Sequence, residues 1–160
     1  MSPLKHLLHE IFTAPKIQRL QPYTTIDPLI KPLVDSLSLI EDVTTIASCQ
    51  GHCAGRIEAP YVYFQAPLAV AEDLIKQCRE QRAKFHTSWE VHGLFNEKFQ
   101  LTYSLHAPVY TANYINQGCW LLGWHRSRVN QDLATLTEIV NVSPFKKFED
   151  EISRQHQEKP

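Results

Sequence analysis

The side chains best able to do chemistry in this 160-residue chain lie together between positions 48 and 56. The stretch reads Ser-Cys-Gln-Gly-His-Cys-Ala-Gly-Arg, with two thiols, an imidazole, a guanidinium and two of the chain's five glycines. Glycines beside reactive side chains let the backbone and a ligand approach closely. Residues 48–56, called the reactive loop below, are therefore predicted to form a functional site.

Nucleophilic catalysis is one chemistry that the reactive loop would support. Cys49 follows a short β-branched segment and His52 comes three residues later. An adjacent imidazole and nearby backbone N–H groups can activate a thiol, so we predict Cys49 and His52 as catalytic residues. A general base generally comes from another element, which makes His92 or His106 an alternative partner, and the sequence assigns no orienting acid. The competing interpretation is that thiols such as Cys53 are simply buried as small hydrophobic groups.

Zinc binding is a second chemistry that thiols and imidazoles allow. Cys49, His52 and Cys53 are ligand types that zinc prefers, but a structural site takes four ligands, usually as two close pairs. The chain offers one such pair, and its other cysteines and histidines are scattered. We therefore expect no complete four-ligand zinc site, and the sequence assigns no metal ligand.

Arg56 gives the reactive loop a binding role as well. A guanidinium, an imidazole and the unpaired backbone N–H groups of a strand end favour phosphate or carboxylate. We expect Cys49, His52 and Arg56 to face one concavity at the end of the strand 43–48, which would take a small anionic ligand such as a nucleotide. The predicted ligand-binding residues are Ser48, Gly51, Arg56, His92 and His106.

The two histidines of this set lie on strands of a predicted hairpin. His92 and His106 fall on the side opposite the apolar residues of their strands, because side chains alternate along a strand. The resulting polar sheet face is either exposed to solvent or one wall of a cleft. Exposure is the more common outcome for such histidines.

The elements that must position the reactive loop follow from hydrophobic periodicity. Amphipathic spacing predicts three helices, and β-branched or alternating residues predict a sheet of about four to six strands, with a hairpin across 84–106 and one or two short strands allowed within 109–124. The helices are expected over 28–40, 67–82 and 129–141, and the strands over 43–48, 61–64, 84–94 and 98–106. Asp27 is expected to cap the first helix, ahead of Pro28. The fold class is α+β or mixed α/β, a mixed or antiparallel sheet flanked by three or more helices.

Length and composition limit the organisation of the chain. The predicted organisation is one α/β domain over 1–145, followed by a C-terminal helix or frayed tail over 146–160. A formal net charge of −1 gives no global case for nucleic acid binding, which leaves only a local basic patch, for example around His125, Arg126 and Arg128. With no signal-peptide pattern and no bilayer-spanning apolar run, we expect a cytoplasmic protein without membrane association.

The order of elements around the reactive loop resembles that of the wybutosine-synthesis methyltransferase family, which acts on a modified guanosine of phenylalanine tRNA. That family has an amphipathic helix, a strand, a Thr-x-Ser-Ser-Cys-Ser-Gly-Arg-Ile motif, and a further strand and helix. In this chain Gln50 replaces a serine of the motif, and residues 52–55 are inserted. The matching positions are Thr44, Thr45, Ser48, Cys49, Gly51, Arg56 and Ile57.

This resemblance covers about a third of the chain, and the second half of the sequence matches nothing in the family. It implies S-adenosylmethionine as cofactor and an RNA substrate, with Ser48, Cys49, Gly51 and Arg56 lining the site. The Ser-Cys-x-Gly-His pattern also resembles uncharacterised small proteins of bacteria and their mobile elements, which implies no activity.

Two functions of different classes are therefore open. In the first, the chain is a nucleotide- or S-adenosylmethionine-dependent enzyme resembling an RNA-modifying transferase, and the reactive loop binds or converts the ligand. In the second, the chain is a non-catalytic protein that binds another protein, and the loop is structural. Whether the reactive loop lines a pocket discriminates between them.

Overall fold

The computed structural model describes residues 25–52, 58–111 and 126–145. Within these ranges one antiparallel sheet and four α-helices form a single α+β domain, which confirms the predicted fold class. The strands are β1 (Thr44–Cys49), β2 (Tyr61–Gln65), β3 (Glu90–Phe95) and β4 (Leu101–His106), in the sheet order β1-β2-β4-β3. The helices are α1 (Lys31–Ser38), α2 (Leu68–Glu80), α3 (Pro108–Thr111) and α4 (Arg126–Asn141).

One face of the sheet is packed against helices. Alternation along β2 and β4 places Val62, Phe64, Tyr103 and Leu105 on this face, and all four side chains are buried. Helix α1 packs against β1 and α4, while α2 packs against β3 and α4. These contacts form one hydrophobic cluster between the sheet and the helices, so the other face of the sheet is the one that remains partly exposed.

Helix α1 begins later than the sequence predicts. Pro32 occupies its second position, where a missing N–H breaks no intrahelical hydrogen bond, and no side chain caps the helix. The prediction that Asp27 caps this helix is therefore wrong. The backbone carbonyl of Asp27 accepts hydrogen bonds from the N–H groups of Ile30 and Lys31 at 3.3 and 3.1 Å, and its carboxylate is directed to the reactive loop instead.

Strand β3 is shorter than predicted because a buried carboxylate on α4 binds the chain that precedes it. Asp132 accepts hydrogen bonds from the backbone N–H groups of His86 at 2.8 Å and Thr87 at 3.4 Å, and from the indole N–H of Trp89 at 3.0 Å. Residues 85–89 alternate like a strand, but the backbone N–H groups of His86 and Thr87 donate to this carboxylate rather than to a neighbouring strand. Ladder pairing starts only at Glu90.

The C-terminal helix or frayed tail predicted over 146–160 lies outside the described residues. No helix within the described ranges is both long enough and apolar enough to cross a membrane.

Candidate active site

Three side chains from two separate segments meet beyond the end of β1. Cys49 is the last residue of β1, His52 follows three residues later, and Asp27 comes from the turn before α1. One ligand-type atom from each lies within 4.8 Å of the others. The imidazole Nε2 of His52 is 3.2 Å from the carboxylate Oδ2 of Asp27. We call this group the Asp27–Cys49–His52 cluster.

The β1–β2 ladder fixes two members of the cluster. Cys49 lies directly opposite Tyr61 in the antiparallel pair. The pairing continues past the strands in an isolated bridge between His52 and Glu58, whose N–H groups donate to each other's carbonyl oxygens at 2.9 and 3.3 Å. The backbone of His52 is thus held on the same ladder as Cys49.

Gly51 makes the turn that brings His52 back toward Cys49. Its φ of 84° lies in the left-handed region, where glycine pays no steric cost. Its backbone N–H donates a hydrogen bond of 3.3 Å to the sulfur of Cys49. This residue, predicted as ligand-binding, therefore positions the thiol directly.

Asp27 is joined to the reactive loop by two further hydrogen bonds. Its Oδ2 accepts a bond of 3.1 Å from the N–H of Gln50. In return, the side-chain oxygen of Gln50 accepts a bond of 3.0 Å from the N–H of Leu29. These reciprocal bonds hold the turn before α1 against the loop and orient the carboxylate toward His52.

Arg126, at the start of α4, clamps the other side of the loop. Its Nη1 donates to the carbonyl oxygens of Gln50 at 2.8 Å and Gly51 at 2.6 Å, and its Nε donates to Asn130 at 2.8 Å. Only 2% of Arg126 is exposed. Arg126 is therefore not part of a basic surface patch, as the sequence suggested. It is buried against the reactive loop.

The electrostatics of the cluster favour an ion pair. The hydrogen bonds with Asp27 and then Cys49 raise the pKa of His52 to about 10, against the opposing effect of burial. Burial by itself would raise the pKa of Asp27. The hydrogen bonds from His52 and the Gln50 N–H, with the charges of His52 and Arg126, hold that pKa below its ordinary value of 3.8. At neutral pH, Cys49 thus lies beside an imidazolium paired with a carboxylate.

The free energy of unfolding should fall as pH rises from about 6.5 to about 10. The pKa of His52 is about 10 in the folded chain against an ordinary value of 6.5, so its stabilising effect is complete below pH 6.5 and is lost as pH rises through 10. Its side chain is 33% exposed, and solvent screening should reduce the effect to about 1–2 kcal/mol. Urea unfolding in EDTA would measure this loss, which should be smaller in His52→Gln. Equal losses in both proteins would contradict the assignment.

The two described cysteines lie in different environments. Cys78, on α2, is part of the hydrophobic cluster, and burial raises its pKa to about 12. This is the small-hydrophobe role that the sequence left open as an alternative. Cys49 is also buried, at 4% exposed, but it lies outside that cluster and has polar partners. Of these two cysteines, Cys49 is thus the one whose polar surroundings favour a reactive thiol.

His92 and His106 come together, but as a separate pair. Their rings meet edge to face with centroids 4.6 Å apart, and His92 Nε2 is 2.7 Å from a carboxylate oxygen of Glu90. His106 lies opposite Tyr61, which lies opposite Cys49, so two strand spacings of about 4.8 Å each separate His106 from Cys49. Of the histidines that the sequence offers as partners of Cys49, His52 is therefore the one that lies beside it.

A concavity of about 420 Å³ lies on the partly exposed face of the sheet. Tyr61, opposite Cys49 in the ladder, is one of its walls, and Ala47 is two residues before Cys49 on β1. The full lining is Ile46, Ala47, Tyr61, Tyr63 and Ser104. Ser48 pairs with Val62, on the helix-packed face, and is not part of this lining.

Two residues of the predicted loop site lie outside the described part of the chain, and two residues of the observed cluster and its surroundings were not predicted from sequence. Arg56 and Cys53 lie outside the described residues, so the concavity shared by Cys49, His52 and Arg56 stays a prediction. Asp27 and Arg126 are the residues that sequence reasoning missed as parts of the site. In the sequence, Asp27-Pro28 indicates the start of a helix, which hid the role of the carboxylate. No sequence pattern connects Arg126 to a loop 75 residues away.

Comparison with known proteins yields no relative. No family model, no curated protein and no solved structure matches this chain. The function must therefore be argued from the geometry of the site.

Proposed function

We propose that this chain is a thiol-dependent enzyme that transfers or hydrolyses an acyl group. The observation that carries the proposal is the Asp27–Cys49–His52 cluster, in which a thiol, an imidazole and an orienting carboxylate lie within 4.8 Å. A nucleophile beside a base that is held by a third group is the arrangement common to covalent acyl-transfer sites. The enzyme would act in the cytoplasm, where thiols stay reduced.

Each side chain has a defined role in this reaction. The thiolate form of Cys49 attacks a carbonyl carbon, and the bond from that carbon to the leaving group breaks to give a thioester. His52, protonated at neutral pH, donates its proton to the leaving group and becomes neutral. Neutral His52 then removes a proton from water or another acceptor, which attacks the thioester carbonyl; the carbon–sulfur bond breaks, the Cys49 thiolate is released and His52 is protonated again. Asp27 keeps the imidazole oriented and stabilises its charge.

The backbone of the reactive loop supports the same chemistry. The N–H of Gly51 points at the sulfur and stabilises negative charge on it. The buried guanidinium of Arg126 fixes the carbonyl groups of Gln50 and Gly51, so this N–H keeps its direction. The concavity bounded by Tyr61 and Ala47, beside Cys49 in the β1–β2 ladder, would take the apolar part of a substrate.

The sequence resemblance suggests a different reaction at the same loop, in which the enzyme transfers a group to a nucleotide or RNA instead of transferring an acyl group. In that reaction the ligand is a nucleotide or RNA, S-adenosylmethionine supplies the transferred group, and Arg56 binds phosphate. Cys49 keeps its role as the reactive residue. Binding of radiolabelled S-adenosylmethionine, abolished by Arg56→Ala without a change in melting temperature, would support this reaction over acyl transfer.

Alkylation of the native protein by iodoacetamide in EDTA tests the central claim. Peptide mass spectrometry would give a separate rate for each cysteine. Cys49 and Cys78 are equally inaccessible, at 4% and 2% exposed, so Cys78 is an internal control. We expect Cys49 to react about 100-fold faster than Cys78, because only Cys49 has an imidazole partner.

Variants separate the roles within the cluster. His52→Gln should slow alkylation of Cys49 about tenfold or more, and Asp27→Asn should slow it less, because the imidazole remains in place. His92→Gln, which alters a histidine outside the cluster, should leave the rate unchanged. Hydrolysis of a panel of activated esters and thioesters should disappear in Cys49→Ala. If the alkylation rate of Cys49 were the same in His52→Gln as in the wild type, the proposal would be wrong.

A second candidate function, protein binding, is favoured by the far end of the β3–β4 hairpin. Phe95 and Phe99 are 72% and 87% exposed there, and Leu101, directly opposite Phe95 in the ladder, is 41% exposed. Isolated exposed apolar residues are common, but a contiguous group often marks an interaction surface. If the chain acts by binding, Phe95→Ser with Phe99→Ser should abolish complex formation in cells while the Cys49 alkylation rate stays unchanged.

A further inference from the structure

We infer that the Asp27–Cys49–His52 cluster is also a binding site for one Zn²⁺ ion. The cluster supplies three protein ligands, a thiolate, an imidazole nitrogen and a carboxylate oxygen. This inference goes beyond the proposed acyl transfer and stands on the arrangement of the ligand atoms. It is compatible with the expectation that the reactive loop lacks a complete four-ligand structural site.

The ligand set selects the kind of metal. Thiolate and imidazole suit zinc, whereas magnesium and calcium take oxygen ligands almost throughout. The three ligand atoms lie within 4.8 Å of one another, so each can reach a common centre at about 2.0–2.3 Å with small side-chain rotations. The Oδ2 of Asp27 and Nε2 of His52, now 3.2 Å apart, would then bind the metal instead of each other.

The surroundings hold the three ligands before the metal arrives. Asp27 is fixed by the N–H of Gln50, and the sulfur of Cys49 by the N–H of Gly51. Backbone pairing with Glu58 fixes His52. Hydrogen bonds to the side chains that bind a metal keep those side chains oriented, and they increase metal affinity tenfold or more. The positive charge of Arg126 acts on Asp27 and opposes cation binding, so we expect micromolar rather than nanomolar affinity.

Three protein ligands leave the fourth tetrahedral position of zinc open. Sites of this composition bind water or a substrate atom there, unlike structural sites, which are closed. If Cys49 is the nucleophile proposed above, bound zinc would occupy its sulfur and withdraw His52 as acid and base. Zinc would then be a reversible inhibitor of the thiol chemistry, and this consequence alone rests on the proposed function.

Cobalt titration of the full chain, freed of metal with EDTA and then desalted, tests the inference. Tetrahedral Co²⁺ bound to a thiolate gives a sulfur-to-cobalt charge-transfer absorption, and Zn²⁺ added afterwards should remove it. We expect one equivalent of Co²⁺ to bind. Cys49→Ser should abolish the charge-transfer band, and Asp27→Asn and His52→Gln should each weaken binding more than tenfold. His86→Gln, which changes an exposed histidine outside the cluster, is the matched control and should bind as the wild type does.

The possible outcomes separate the two proposals. A band that survives Cys49→Ser but disappears in Cys53→Ser, or binding unaffected by Asp27→Asn, would overturn the zinc site. Rapid alkylation of metal-free Cys49 without any cobalt band would overturn the zinc site and leave the thiol enzyme standing. A cobalt band of the expected pattern with slow metal-free alkylation would support the zinc site and overturn the thiol enzyme. Circular dichroism of each variant would confirm that it is folded.

Discussion

An Arg126→Met protein should lose about 3 kcal/mol of unfolding free energy and most of the reactivity of Cys49. The guanidinium donates to the carbonyl oxygens of Gln50 and Gly51 and to Asn130, and methionine fills a similar volume without a donor. Both carbonyl groups would be buried without this partner, which costs more than the net value of the original bonds. Urea denaturation and peptide-resolved alkylation of Cys49 measure the two effects.

The neighbouring Arg128 provides a matched control for this prediction. It is exposed on the same turn of α4, so Arg128→Met should change stability by less than about 0.5 kcal/mol. Arg126→Lys should fall between the two, because an ammonium keeps the charge but lacks the planar fork that serves both the loop and Asn130. If Arg126→Met reacted with iodoacetamide as fast as the wild type, Arg126 would be only a stabilising residue.

Asp132→Ala should destabilise the protein by about 3 kcal/mol without a specific effect on Cys49. The carboxylate is fully buried and accepts hydrogen bonds from His86, Thr87 and Trp89. Alanine would leave these donors without their acceptor and open a cavity beside a buried indole. Thermal or urea unfolding measures the loss, and the Cys49 alkylation rate under native conditions should match that of the wild type.

An exposed aspartate gives the comparison for Asp132. Asp35 forms an ion pair with Lys31 one helical turn away, at 2.6 Å, with both side chains more than half exposed. Such pairs are worth little, so Asp35→Ala should cost less than about 0.5 kcal/mol. A similar loss from both variants would mean that the three donors find other partners when Asp132 is removed.

Local patterns carried enough information to predict most of the fold. The β-branched segment before Cys49 became β1, the aromatic segment 61–64 became β2, and the amphipathic segment after Pro67 became α2. Parity along the hairpin placed His92 and His106 on one face, and their rings are in contact. These predictions depend only on the periods of strands and helices, which neighbouring residues determine.

The sequence patterns predicted the wrong local structure where a side chain distant in sequence replaced a local hydrogen-bond partner. Residues 85–89 alternate as a strand would, yet the backbone N–H groups of His86 and Thr87 donate to Asp132, more than 40 residues further along the chain. Asp27 has the residue type and position of a helix cap, yet its carboxylate binds His52 and Gln50. Residue types thus located the reactive loop, but the acid and the guanidinium that complete the site depend on tertiary contacts.

The separation between Arg126 and the reactive loop also bears on how a growing chain matures during translation. Arg126 binds carbonyl groups that lie 75 and 76 residues earlier in the chain. Ribosomes add about 5–20 residues per second, so Cys49 is synthesised roughly 4–15 s before its clamp exists. Over that interval the thiol has its loop neighbours but not the residue that fixes their backbone. We therefore expect Cys49 in nascent chains stalled before α4 to react with iodoacetamide more slowly than Cys49 in the complete protein.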